Sequence, residues 1–303
     1  MNKKSVFLIG AIVFATLGSI LVYSNINAPQ PSVTRPLLYN IDPKIVTGAR
    51  TIDEIKGLII SSWGLPQANY NVKVSATEDL QYERTTWLLK FYEGSSYVLS
   101  AQVNAKTGQI LSIADHRYSG TRNNVDSVKD LLSAATPALA RMRVNVDELP
   151  PPTIKEPVQD SATSNMYTVM WDQYYKGVPV NNGFIRVIVD AEYLKPIVFT
   201  NGLKEVGDID VYPTVSEAQA LATAGEFLKT EVLTSKGYFG CKLGAATLYI
   251  TRPDYDPFNN RLYVPALNPC LAWRVDCTDE DGSRVDIVID AHSNKVVSIT
   301  ETL

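Results

Sequence analysis

One short sequence pattern occurs three times in this chain of 303 residues. Residues 103–113 align without a gap on residues 289–299, and residues 189–197 form a shorter, degenerate copy. Each copy carries an Asn or Asp whose side chain can hydrogen-bond the backbone of a tight turn. Gly108 and Asn294 can supply the left-handed residue that such a turn needs. Each copy therefore predicts two antiparallel strands joined by a tight turn.

A tryptophan precedes each copy at a nearly constant distance. Trp87 and Trp273 each lie 16 residues before the start of their copies, and Trp171 lies 18 residues before the third. Large aromatic side chains bury much apolar area. We therefore expect all three tryptophans to anchor the core from the first strand of each hairpin.

Helical patterns lie upstream of the hairpins. Residues 51–54 and 214–217 both have the form of a capping box, and apolar residues follow each at helical spacing. The apolar pattern over residues 125–139 is less regular and predicts a helix between the other two. The repeated order of a helix followed by antiparallel strands indicates an α+β fold class, with repeated units that each pack a helix on a small antiparallel sheet.

The N-terminal segment from residue 5 to residue 23 has no charged side chain. At ~1.5 Å per residue a helix of this length spans ~28 Å, close to the ~30 Å hydrocarbon core of a bilayer. Lys3 and Lys4 precede the segment, so the positive-inside rule places the N-terminus in the cytoplasm and the body outside. A cleaved signal peptide, with residues 16–18 as its cleavage site, is the alternative. Both interpretations predict export.

These observations predict five regions along the chain. Residues 1–27 are expected to form a cytoplasmic tail and a single transmembrane anchor, and residues 28–44 a proline-containing stalk. Three repeated units are then expected over residues 45–120, 121–206 and 207–303.

Charge and residue counts limit the chemistry. The chain has 28 basic and 32 acidic residues, and its exported part carries a net charge of −6 once the two cytoplasmic lysines are left out, which disfavours nucleic acid as a partner. His116 and His292 are the only histidines, so a His-Glu-x-x-His zinc helix cannot form. We expect no metal, no cofactor and no catalytic residue. Both histidines follow strand ends, where a solvated side chain is the ordinary explanation.

Three cysteines offer one disulfide. If residues 248–252 paired antiparallel with residues 261–265, Cys241 would lie opposite the neighbour of Cys270, which predicts a Cys241–Cys270 bridge in an oxidising compartment. Cys270 and Cys277 on one continuous strand would be ~23 Å apart, far beyond the ~7 Å limit between the Cα atoms of a bridge.

Residues 174–180, with Gly183 and the alternating residues 184–190, resemble the fungalysin/thermolysin propeptide (FTP) motif. Downstream segments are similar to PepSY modules; they are residues 216–218, 248–250, 271–275 and 288–291. The resemblance covers residues 167–303, with residues 51–115 as a separate PepSY-like copy. In that family the propeptide packs on the protease domain, assisting its folding and inhibiting it. No protease domain follows in this sequence, so the resemblance implies a fold and a binding habit without catalysis.

The expected function is a non-catalytic, extracytoplasmic binding or regulatory protein, anchored in the membrane and contacting a protein or peptide outside it. The resemblance implies an exported protease that the chain inhibits or modulates. The alternatives are a regulator of a membrane sensor kinase and a structural factor of cell-envelope assembly. Tyr175, Val178 and Pro179 flank the FTP-like turn and are the predicted partner contacts, with a purely structural role in the hairpin as the competing interpretation.

The charge-free segment after Lys3 and Lys4 generates a topological prediction. Protease added to spheroplasts of the host is expected to degrade the body of the chain from about Ser32 onward, because the positive-inside rule places it outside the membrane. Immunoblotting measures the loss, and a cytoplasmic marker that stays intact is the control. Protection of the whole body together with the marker would overturn the orientation.

Overall fold

The computed structural model describes residues 38–41, 50–66, 68–117, 128–146, 149–156, 165–230, 240–259, 261–263 and 265–302. The predicted anchor over residues 1–27 lies outside the described residues. None of the helices in the described part of the chain is long and apolar enough to cross a membrane.

The described part of the chain has three helices, which are α1 (Ile52–Trp63), α2 (Val128–Arg141) and α3 (Glu217–Phe227). Helix α1 begins with the predicted capping box, in which Thr51 Oγ1 accepts from the backbone of Glu54 and the Glu54 carboxylate accepts from the backbone of Thr51. Helix α3 is capped by Ser216 and Gln219 in the same way, so it begins two residues later than a cap at Thr214 would place it.

The described strands number fifteen. They are β1 (Leu38–Ile41), β2 (Asn71–Asp79), β3 (Arg84–Glu93), β4 (Ser96–Asn104), β5 (Ile110–Asp115), β6 (Thr153–Lys155), β7 (Met166–Tyr175), β8 (Val178–Asp190), β9 (Lys195–Asn201), β10 (Lys242–Thr251), β11 (Tyr255–Asp256), β12 (Arg261–Leu262), β13 (Cys270–Thr278), β14 (Arg284–Asp290) and β15 (Val296–Thr302). Thirteen of them form one sheet in the order β1-β2-β3-β4-β5-β9-β8-β10-β13-β14-β15, with β7 on β8 and β6 on β7, while β11 and β12 form a separate pair.

The predicted fold class, α+β with repeated units of one helix on one small antiparallel sheet, is wrong. Strand β5 pairs with β9, with Ser112 opposite Thr200, so the strands of the first two predicted units form one sheet. Helices α1 and α2 pack against one common core. Strand β8 then meets β10 in parallel at Val180 and Ile250. An unpaired strand edge leaves backbone donors and acceptors unsatisfied, and mutual pairing of the edges removes that cost. The domain boundaries stay predictions.

The three predicted hairpins are confirmed. Asn104, Asp190 and Asp290 each accept hydrogen bonds from the backbone N–H groups two and three residues ahead, at 2.6–3.3 Å. Gly108 and Asn294 have φ angles of 73° and 57°, in the left-handed region. The short-range chemistry of the repeat thus fixes the turns, whatever sheet the strands then join.

The tryptophans have the predicted role of core anchors. Trp87 and Trp171 are buried. Trp273 is half-buried, and its Nε1 donates to the backbone oxygen of Val215 at 2.8 Å, which ties strand β13 to the start of α3.

The disulfide differs from the predicted Cys241–Cys270 bridge, because Cys241 is joined to Cys277, with their Cα atoms 5.8 Å apart. Strand β10 pairs with β13 rather than with residues 261–265, so Thr251 lies opposite Cys270 and the other end of β10 reaches Cys277. Cys270 is a free thiol, and burial raises its pKa to about 12.

Asp115 joins three elements through a carboxylate that is fully buried. It accepts from Trp63 Nε1 of α1 at 3.0 Å and from Arg117 Nη2 at 2.8 Å, and Lys195 Nζ of β9 lies 3.4 Å away. Burial alone would raise the pKa of Asp115, but the hydrogen bonds from Arg117 and the charge of Lys195 outweigh burial and lower it.

His116 lies beside this cluster and stacks on Tyr97, with the ring centroids 4.4 Å apart. Its Nε2 is buried and has no hydrogen-bond partner among the described residues. Burial lowers the pKa of His116, although the charge of Asp115 opposes that shift.

Replacing His116 by Phe is expected to make the protein less sensitive to mild acid. The pKa of His116 is lower in the folded than in the unfolded protein, so its neutral ring stabilises the fold above pH 6.5, and that contribution is lost as the pH falls toward the folded-state value. Phe keeps the stacking and cannot be protonated. Urea unfolding between pH 8 and pH 5 measures the free energy of unfolding of both proteins. The value for the variant, relative to the wild type, should rise as the pH falls.

His292, whose ring is exposed, supplies the control for this experiment. A His292→Asn variant removes the other histidine and shows whether the effect is specific to His116. If the His116→Phe and wild-type curves run parallel across the range, His116 does not contribute to acid sensitivity.

Candidate functional site

The predicted contact residues lie at a tight hairpin between β7 and β8. Tyr175 is paired with Val178, and the two turn residues between them, Lys176 and Gly177, have φ angles of 48° and 84°. Two consecutive left-handed residues are the requirement of the type I′ turn that suits the twist of a two-residue hairpin. The sequence therefore fixes the shape of this turn, and Gly177 relieves one of its two strained positions.

Tyr175 and Val178 are half-buried rather than free on the surface. Both pack on a hydrophobic cluster with the connection between β9 and α3; its buried members are Val180, Val206, Ile250, Leu271 and Ala291, and Ile209 and Val211 pack against it. Lys176 Nζ lies 3.4 Å from Asp208 and 5.0 Å above the Tyr175 ring. An exposed ion pair contributes little energy, so the apolar packing holds the hairpin against the connection.

Gln173 strengthens the base of the same hairpin. Its side-chain amide donates to the Lys204 backbone oxygen at 2.9 Å and accepts from the Lys204 N–H at 2.8 Å. The side chain passes over Gly183, where any Cβ would collide with it. The Gln173 side chain thus makes the two backbone hydrogen bonds that a paired strand would otherwise make, just beyond the end of β9.

The exposed side chains around the β7–β8 hairpin are mostly neighbours of the predicted contact residues rather than those residues themselves. Tyr174, opposite Pro179, is 46 % exposed, and Tyr212 is 78 % exposed. The backbone oxygen of Tyr212 lies 3.2 Å from His292 Nε2 in the β14–β15 turn. We call Tyr174, Lys176, Pro179, Tyr212 and His292 the hairpin surface, because sequence neighbours of each pack in the cluster described above. Tyr174 and Pro179 lie on the face of the hairpin opposite to Tyr175 and Val178.

The hairpin surface has the chemistry of a protein contact. Tyrosine offers a large apolar ring and a hydroxyl at a low cost in conformational entropy, and it is enriched in binding interfaces. Its two tyrosines stand on backbone that is held in place. Their neighbours Tyr175 and Val211 pack in the cluster, and the Tyr212 N–H donates to Asp210 Oδ1 at 3.0 Å. Little ordering entropy would be lost on binding.

Sequence reasoning identified the hairpin but missed Tyr212. Tyr212 precedes Pro213 in a polar connection, a pattern that indicates a turn and says nothing of exposure. The acidic residues 279–281 form a hairpin turn, in which Asp279 Oδ1 accepts from the Ser283 N–H at 2.7 Å. Within the described ranges, no group of three His, Cys, Asp or Glu side chains is placed to hold a metal ion.

No protein-family model matches the chain, and no curated protein matches it. Among solved structures, the chain is similar to the Bacillus megaterium YpeB C-terminal domain at 16 % sequence identity and a TM-score of 0.43, over 85 % of this chain and 100 % of that one. A likeness at this level assigns neither a family nor a function.

Replacing Tyr175 by Ala is expected to lower the free energy of unfolding by roughly 1 to 3 kcal/mol, because it removes an aromatic ring from the cluster beneath the hairpin. Tyr174→Ala, one residue earlier on the exposed side, is the matched control and should change stability by less than about 0.5 kcal/mol. Chemical denaturation measures both. Equal effects of the two variants would contradict the placement of Tyr175 in the cluster.

Proposed function

We propose that this chain is a non-catalytic, extracytoplasmic binding protein that contacts a protein or peptide partner through the hairpin surface. The observation that carries the proposal is the exposure of Tyr212 and Tyr174, at 78 % and 46 %, on backbone that is fixed by packing. Exposed aromatic side chains on rigid elements are the usual anchors of protein interfaces.

The sequence supports an outside location and a protein partner. Residues 5–23 are free of charge and follow two lysines, which favours an anchor with the body outside the membrane. The net charge of the body is negative, so a partner with basic residues would be attracted to it at long range. The resemblance of residues 174–190 to the FTP motif makes an exported protease the first partner to test, with inhibition or modulation as the effect.

The three predicted contact residues take different parts in this proposal. Tyr175 and Val178 pack inward and fix the hairpin. Pro179 is half-buried beside the exposed Tyr174 and remains a contact residue. The partner is therefore expected to touch Tyr174, Pro179 and Tyr212, while Tyr175 acts on binding through the shape of the turn.

Site-specific photo-crosslinking in the host tests this surface. A benzophenone amino acid at Tyr212 or at Tyr174, in the full-length chain, should form the same adduct, because the proposal places both side chains in contact with one partner. The control position is Thr136, which is exposed on α2. Mass spectrometry identifies the adduct, and exported proteases and the outer domains of sensor kinases are then tested directly with the purified protein.

The outcomes separate the proposed function from its alternatives. A protease adduct at positions 212 and 174, absent at position 136, supports the leading proposal when the purified chain also slows that protease. A sensor-kinase adduct at the same positions would keep the surface and change the partner class. An identical adduct pattern at all three positions would refute the hairpin surface as the contact.

A further inference from the structure

The large sheet consists of two parts that share little strand pairing. The first part contains β1 to β9, and the second contains β10 and β13 to β15. They meet at β8 and β10, where Val180 opposite Ile250 is the one register pair between the two described strands. Beside it, Asn181 Nδ2 donates to Thr251 Oγ1 at 3.3 Å. The next shortest ladders of this sheet, β5 with β9 and β6 with β7, have three register pairs each. The junction between the two parts is therefore narrow.

Apolar packing surrounds this junction. The cluster beneath the hairpin surface joins Val180 of the first part to Leu271 and Ala291 of the second. Apolar contacts have no preferred direction, so they hold the two parts together without fixing the angle between them. A single strand pair adds little directional constraint, and the angle therefore depends on a second connection.

That second connection lies between the β2–β3 turn and the segment that links β10 to β13. Gln81 Nε2 donates to the Asp254 backbone oxygen at 2.9 Å, and the Ala266 N–H donates to the Gln81 backbone oxygen at 2.8 Å. The Tyr82 hydroxyl donates to Asp254 Oδ2 at 2.9 Å. Gln81 is buried although it lies in a turn. We call Gln81, Tyr82, Asp254 and Ala266 the clasp.

Each side of the clasp is firmly attached to its own part of the sheet. In the β2–β3 turn, Asp79 Oδ1 accepts from the N–H groups of Gln81 and Tyr82 at 3.1 and 3.2 Å. In the linking segment, Arg252 Nε donates to the Leu267 backbone oxygen at 3.0 Å, and β11 lies against β15. The clasp therefore joins two rigid bodies, and a change in the angle between them must strain or break it.

The clasp lies close enough to the junction to respond to a small rotation. Asp254 follows Ile250 by four residues, which places it within about 13 Å of the junction. At that distance a rotation of about 10° moves a group by ~2 Å, which breaks a hydrogen bond of 2.9 Å, because such bonds rarely exceed about 3.2 Å. The clasp can therefore form at only one angle between the two parts.

We propose that the clasp is a releasable lock on the angle between the two parts of the sheet, and that its release loosens the cluster beneath the hairpin surface. Each hydrogen bond of the clasp contributes modestly to stability, because water can replace it, and Tyr82 is 38 % exposed. Burial and the Asp254 carboxylate raise the pKa of Tyr82, so its hydroxyl keeps the proton that it donates. An effect of the clasp on binding rests on the proposed function, whereas the lock is a property of the folded chain alone.

Hydrogen exchange of the full-length protein, followed by mass spectrometry, tests the lock. Tyr82→Phe keeps the ring beneath Arg252 and removes only the donor to Asp254. Exchange at the clasp and at Val180 is expected to accelerate together, by roughly fivefold, because one net hydrogen bond is lost. Exchange in α2 should not change. Tyr263→Phe is the matched control, since Tyr263 lies in the same segment and its hydroxyl makes no hydrogen bond with the described residues.

Variants at Asp254 show whether the hydrogen bond to Tyr82 is responsible. Asp254→Ala should accelerate the same exchange, and Asp254→Asn, which keeps an acceptor for the Tyr82 hydroxyl, should do so less. Tyr82→Phe combined with Asp254→Ala should add little to either change alone, because both variants break one bond. Fully additive changes would contradict a role for that bond.

Three results would overturn the lock. They are unchanged exchange in Tyr82→Phe, faster exchange confined to the clasp, and an equal acceleration in α2, which would show that the clasp stabilises the whole fold.

Photo-crosslinking at Tyr212, repeated in the Tyr82→Phe protein, tests the effect of the clasp on binding. The adduct yield should fall by roughly twofold or more, because a looser surface loses more entropy on binding. An unchanged yield would overturn the effect on binding. A missing wild-type adduct would refute the proposed function, and hydrogen exchange would still decide the lock.

Discussion

The Asp115 carboxylate is fully buried, and a buried carboxylate must be neutralised inside the fold. Its partners come from three places: Trp63 at the end of α1, Arg117 just after β5, and Lys195 at the start of β9. Leaving a buried charge without a counter-charge typically costs about 3–5 kcal/mol, and here two cations and one indole N–H share the task, so the carboxylate couples the three elements. The same carboxylate lies where β5 meets β9, so it stabilises the seam between two stretches of sequence that repeat each other.

The pairing of β5 with β9 also positions β8, the strand that links the two parts of the sheet. Strand β8 is 13 residues long, and its C-terminal part pairs with β9 while Val180, near its start, pairs with Ile250 of β10. One strand therefore belongs to both parts of the sheet. The hairpin surface lies at the start of β8. The cluster beneath it contains residues from both sides of the β8–β10 junction, such as Val180 and Leu271. Its shape is consequently a property of the whole sheet rather than of the hairpin alone.

The parts of the fold that the sequence predicts are those that short-range interactions determine. The Asx turns at Asn104 and Asp290 and the capping box at Thr51 need only residues within four positions of each other, and all are present. The pairing of β10 with β13 is different. The residues between these strands leave the sheet and dock elsewhere, with Gln81 Nε2 donating to the Asp254 oxygen at 2.9 Å. No local pattern encodes a contact over 173 residues, so the predicted register and disulfide were wrong.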